Sequence, residues 1–72
     1  MRLRYILHKA RKEAGLSVIE IARLLGISAS FYYKIESGIR NPTIHLAKHI
    51  SELVGGDMDT LFFAIKLDET SS

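Results

Sequence analysis

VIEIARLLGISASFYYKIES, residues 18–37, holds a helix, a glycine stop and a second helix within one short run. Just ahead of it, Ser17-Val18-Ile19-Glu20 fits the S-x-x-E capping box. In that box the hydroxyl and the carboxylate each satisfy a free backbone N–H at a helix start. Leu16 and Ile21 are spaced for the hydrophobic staple that accompanies it. Ile21, Ala22 and Leu25 share one helical face. Gly26 follows, where a left-handed residue closes a helix at least cost as glycine. Ser28 can cap the next helix, and Tyr32 and Ile35 give it a buried stripe. Two short helices joined by a tight glycine turn make a helix-turn-helix, and Ala22 is small enough for a close crossing.

Working outward, Arg11, Gly15-Leu16-Ser17, Ala22, Leu25-Gly26-Ile27-Ser28, Ile35-Glu36, Gly38, Asn41-Pro42, Gly55 and Leu61-Phe62 complete a pattern without gaps. In that joint spacing the chain resembles the Xre-type, lambda-repressor-like helix-turn-helix family. The resemblance spans Arg11 to Phe62, most of the protein. It implies an all-α fold, a compact bundle of five helices that binds operator DNA. The second motif helix, residues 29–37, would lie in the major groove. The domain is expected over 1–63, with a tail over 64–72.

Charge is consistent with such a partner. Residues 1–48 hold nine Lys/Arg against three Asp/Glu, a balance of +6. Residues 49–72 hold one lysine against five acids, a balance of −4, so the whole chain carries +2. A polyanion favours the first part and avoids the second. With 72 residues, about 60% of the unfolded surface is buried on folding, and stability scales to roughly 4–10 kcal/mol. The absence of cysteine removes disulfides, thiol nucleophiles and thiolate metal sites. No apolar run reaches transmembrane length and the first residues lack a signal-peptide pattern, so a cytoplasmic protein with no membrane partner is expected.

The remaining helices follow from periodicity. Leu3, Leu7, Ala10 and Ala14 form one stripe of a first helix over 2–14, broadened by Ile6, and Gly15 ends it. Arg2, Arg4, Lys9 and Lys12 lie off that stripe. Thr43 can cap a fourth helix reaching Val54, with Ile44, Ala47, Ile50 and Val54 inside and Leu46 and Leu53 on a second line. Gly55-Gly56 break it, and Asp57 can cap a fifth helix from Met58 to Phe63. Beyond, Leu61, Phe63, Ile65 and Leu67 alternate with their neighbours, the period of a short strand.

Site roles come from the resemblance. Arg11 matches the family arginine that pairs with an acid late in the recognition helix, here Glu36. Such a pair, set by the guanidinium's planar fork, would fix that helix against the first. By family position Ala29, Ser30 and Lys34 face base edges. Lys34 can donate to guanine, Ser30 can donate or accept, and Ala29 offers a methyl. Tyr33 and Phe31 lie at the groove edge, and Ser28, Arg40 and Asn41 beside the phosphates. Val18 departs from the pattern, because most relatives carry a glutamine there. Either that anchor is missing or the helix N-terminal amides serve alone.

Other chemistry is poorly supported. His45 and His49 have a metal-compatible spacing, but no third ligand is evident. No nucleophile elbow, phosphate loop or acid/base pair is present, so neither catalysis nor a cofactor is expected. The reading is therefore a sequence-specific transcriptional regulator of double-stranded DNA, a repressor acting as a homodimer on a near-palindrome. Abundance, dimerisation or a regulatory protein partner would control it. Leu46, Leu53, Met58, Phe62, Phe63 and Ile65 are apolar residues available for the dimer, unless Phe62 and Phe63 merely close the core. A phage repressor, a restriction-modification controller and an antitoxin all fit. The rival class is an adaptor that binds protein through the same fold, which the valine at position 18 and the plain Ala29 favour.

Overall fold

A computed structural model describes residues 3–62. Four helices are α1 (Tyr5–Glu13), α2 (Val18–Leu25), α3 (Ala29–Glu36) and α4 (Ile44–Val54). A fifth, α5, is helical over the described residues 58–62. No strand occurs among the described residues, so the fold is all-α; the alternating tail lies outside them.

The helix ends are set by local chemistry. At the start of α2, Ser17 Oγ accepts from the Glu20 amide at 3.0 Å and Glu20 Oε1 accepts from the Ser17 amide at 2.9 Å. Ser28, Thr43 and Asp57 cap α3, α4 and α5 in the same way, each accepting from the amide three residues on. Gly26 has φ +76°, and the Ile27 amide reaches back to the Ala22 carbonyl at 3.0 Å. A side chain at that φ would be strained, which is why glycine makes the motif's turn. Gly38, at φ +85°, does the same after α3: its amide bonds Ile35 O, and the Ile39 amide bonds Lys34 O.

The two motif helices pack most closely on each other, and Ala22, buried, stands where bulk would force them apart. Leu7, Ile21, Tyr32, Ile35 and Ile50 are fully buried, drawing one core from the first four helices. Each such side chain contributes about 1.5–3 kcal/mol. Leu61 closes the core from α5, its side chain 3.0 Å from where a Cβ on Gly56 would stand.

Three expectations need correction. The first helix begins at Tyr5 rather than at residue 2, and Leu3 and Arg4 are not helical. Arg4 sits at φ −78°, ψ 85° because its amide is held by the Glu36 carbonyl at 2.7 Å. Leu3, which precedes the helix, and Ile6 and Ala14 are exposed, so of the expected stripe Leu7 is buried and Ala10 partly so. Ile44 is also exposed, being the first residue of α4, ahead of the buried run Ala47, Ile50, Ser51 and Val54.

Candidate nucleic-acid interface

Helix α3 has two unlike faces. Tyr32, Ile35 and Glu36 are buried, while Ser30, Tyr33 and Lys34 are exposed. Residues three and four apart share a face, so 30, 33 and 34 form one patch pointing away from the core. Ala29 and Phe31 are intermediate: both pack partly against the core, leaving each only a portion of its surface outside. The aromatic run Phe31-Tyr32-Tyr33 is thus divided among a half-buried, a fully buried and an exposed ring. The Ser28 oxygen accepts from the Phe31 amide at 3.0 Å, and its hydroxyl hydrogen remains available to a phosphate.

Behind this patch lies a buried polar cluster. Arg11 Nε donates to Glu36 Oε1 at 2.8 Å and Arg11 Nη2 to Glu36 Oε2 at 2.9 Å, a two-bond fork. Arg11 Nη1 donates to the Leu16 carbonyl at 2.7 Å, which also fixes the turn into α2. The Tyr32 hydroxyl donates to Glu36 Oε1 at 2.8 Å, and His8 Nδ1 lies 2.6 Å from Glu36 Oε2. An ionised carboxylate can only accept, so His8 Nδ1 carries the proton of that bond. Among the described residues no buried side-chain nitrogen or oxygen lacks a partner.

The cluster's electrostatics follow from its contacts. Burial pushes the Glu36 carboxyl up, but the hydrogen bonds from Arg11, His8 and Tyr32, with the charge of Arg11, outweigh it. The carboxyl is therefore held below the ordinary carboxylate range and stays ionised. The Glu36 hydrogen bond raises the Arg11 guanidinium against the opposing effect of burial. Burial, then the bond to Glu36, pushes the Tyr32 hydroxyl well up, so it remains a donor.

Beside the exposed patch runs the loop 38–42, with Arg40 and Asn41 exposed on it. The Lys34 carbonyl holds its start, accepting from the amides of Ile39 at 2.9 Å and Arg40 at 3.1 Å. Arg4 holds the rest: its guanidinium donates to the Ile35 carbonyl, to the Arg40 carbonyl at 3.0 Å and to Asn41 Oδ1 at 2.6 Å. Asn41 therefore has its side-chain carbonyl committed within the protein, which leaves its side-chain amide as a donor.

Sequence reasoning left Arg4, His8 and the Tyr32 hydroxyl without a part in the site. His8 and Tyr32 were within reach of helical spacing, three residues before Arg11 and four before Glu36. Arg4 had no such signal, since its partners lie 31 to 37 positions away. Val18 is half-buried and packs against the core, so the position supplies apolar contact where a polar anchor was sought. Leu53, Met58 and Phe62 are each half-buried; Leu53 and Phe62 pack against the core, and Phe63 and Ile65 lie outside the described residues. His45 and His49 are exposed, and no group of metal-ligating side chains forms among the described residues. No helix there is long and apolar enough to cross a membrane.

The helix-turn-helix family pattern matches residues 7–61. An uncharacterized HTH-type transcriptional regulator of Bacillus subtilis, YqaF, is 37% identical over 68 residues, covering 94% of this chain and 88% of the relative. A putative HTH-type transcriptional regulatory protein of Saccharolobus solfataricus is 33% identical over 64 residues. That match covers 86% of this chain but only 21% of the archaeal protein, which is a much longer molecule. No solved structure matches the chain.

Proposed function

The chain belongs to the Xre-type, lambda-repressor-like family of helix-turn-helix DNA-binding transcription regulators, and from that premise we propose a dimeric repressor of one short, near-palindromic operator. The observation that carries the reading is the division of α3. Its buried face is locked to α1 by the Arg11 fork on Glu36, and its outward face offers Ser30, Tyr33 and Lys34. Lys34 and Ser30 read base edges, with Ala29 giving a methyl to a thymine. Tyr33 and the outer part of Phe31 lie along the groove edge. Ser28, Arg40 and the Asn41 amide take phosphates, which set register without reading sequence.

A dimer follows from what one helix can read. A single recognition helix contacts a few base pairs, too little to select a site from competing DNA. A two-fold pair puts two such helices about 34 Å apart, one turn of duplex. The dimer surface lies away from the basic face, on the exposed parts of Leu53, Met58 and Phe62; Phe63 and Ile65, outside the described residues, are assigned to it by sequence alone. A regulator of this kind works in the cytoplasm beside the DNA, and the family is not an enzyme class.

Selection of bound duplex from a random pool tests the reading, followed by two variants on the selected site. Lys34→Ala should cost roughly 1–3 kcal/mol on that site and relax preference at one base pair. Arg40→Ala should weaken all sequences alike and lower the salt slope by about one. Recovery of no preferred sequence would replace the regulator with a protein-binding adaptor.

A further inference from the structure

Arg4 stands just before α1, yet its side-chain hydrogen bonds reach residues 31 to 37 positions away. Its backbone amide donates to the Glu36 carbonyl at 2.7 Å. Its Nη1 donates to the carbonyls of Ile35 and Arg40, and its Nη2 to Asn41 Oδ1 at 2.6 Å. On its other side the guanidinium carbon lies 5.4 Å from the centre of the Phe62 ring, within cation–π range. One side chain thus joins the end of the recognition helix, the following loop and α5.

The acceptors explain why an arginine stands here. Helix α3 ends with carbonyls that no further turn can satisfy. Gly38 and Ile39 turn back to bond Ile35 and Lys34, while the Arg40 carbonyl, already in the loop, accepts from Arg4. A planar guanidinium can reach carbonyls and an amide oxygen together from one rigid fork; an ammonium offers only a point charge. Burial lowers the group from its ordinary value, yet an arginine remains cationic at any working pH.

We propose that Arg4 is a positioning residue for DNA binding: it holds the loop 38–42 so that Arg40 and the Asn41 amide meet the phosphates without first being ordered. The proposal rests on the reading of the protein as a DNA binder. A loop ordered in advance loses less freedom on binding, so its fixation appears as affinity.

Hydrogen exchange on the free protein separates this proposal from the DNA reading. Arg4→Ala should raise exchange of the Ile39 and Arg40 amides at least tenfold relative to the core amides of Ile21 and Ile50. Arg4→Lys, which keeps the charge and loses the fork, should do nearly the same and serves if the alanine variant fails to fold. On the selected duplex, Arg4→Ala should weaken specific and random DNA alike by roughly tenfold, the loss of one charge-assisted contact. Combined with Arg40→Ala, it should add little more and leave the salt slope reduced by about one in all. A slope reduced by about two would make Arg4 a phosphate ligand in its own right and overturn the proposal. Unchanged loop exchange, or raised exchange with unchanged affinity, overturns it as well. A wild-type protein that selects no DNA while Arg4→Ala still loosens the loop would remove the DNA reading and, with it, the binding role; the clamp itself would stand.

Discussion

Replacing Arg11 by alanine takes three hydrogen bonds from the centre of the protein. Two run to Glu36 at 2.8 and 2.9 Å, and one to the Leu16 carbonyl at 2.7 Å. Both charged side chains are nearly sealed from water, at 8% and 4% exposure, so solvent does not screen the pair. The variant leaves the Glu36 carboxylate buried with Tyr32 and His8 as its remaining donors. Breaking a buried pair costs about 3–5 kcal/mol, and those two donors place this case near the lower end. Against a total of roughly 4–10 kcal/mol, a loss of about 3 kcal/mol leaves a marginal protein. The melting temperature should fall by roughly 12–24 °C. Urea melts followed by circular dichroism on Arg11→Ala, Glu36→Ala and the double variant would measure it. The double variant should lose clearly less than the sum, because the second deletion removes the charge that the first left unpaired. Losses that add within a few tenths of a kcal/mol would mean the pair has no energetic coupling, and the reasoning would fail.

Four further outcomes follow from particular features of the fold. Because the folded Glu36 carboxyl is held below its unfolded value, its contribution is fully present above about pH 4.3 and is lost as pH falls below that; acid melts of wild type and Glu36→Gln should show the variant's shallower slope there. Ser17→Ala should cost about 1 kcal/mol in a urea melt by opening the capping box. Gly26→Ala meets no neighbour within 4 Å and should still cost about 1–2 kcal/mol, from the left-handed backbone alone. Truncation after Phe62 should leave a helical monomer in sedimentation that binds its operator without cooperativity; a truncated protein that still dimerises would move the interface onto α4 and α5.

The parts of the fold legible in the sequence are those written within one helical turn. The Ser17–Glu20 box, the Gly26 stop and the Thr43 cap each depend on residues three or four apart, and α2 lies where the pattern puts it. Burial of Tyr32 and Ile35 follows from the same spacing. Periodicity misjudged the ends of helices instead. Leu3 and Ile44 continue an apolar rhythm, but a rhythm does not say how far the core extends, and both fall outside it. Within the candidate site, exposure of Ser30, Tyr33 and Lys34 follows from knowing which face is buried. Hidden from any local reading was the start of α1, because a carbonyl at position 36 sets the backbone of Arg4.

That contact changes the part played by the first helix. Arg11, in its last turns, grips the carboxylate of Glu36, while Arg4, at its entry, grips the Glu36 carbonyl through its amide and the Ile35 carbonyl through its side chain. The two arginines are seven positions apart, about two turns, yet both close on the last turn of α3. A helix held at one point can still swing about it; held at its side chain and at its backbone end it cannot. The recognition helix therefore has its angle to α1 fixed twice, once inside the core and once at its rim. The inner grip mainly serves stability, since its loss leaves a buried charge. The outer one, half exposed and costly to nothing else in the core, is free to serve the loop that follows. A variant that loosens only the rim should thus separate affinity from stability, which loss of Arg11 cannot do.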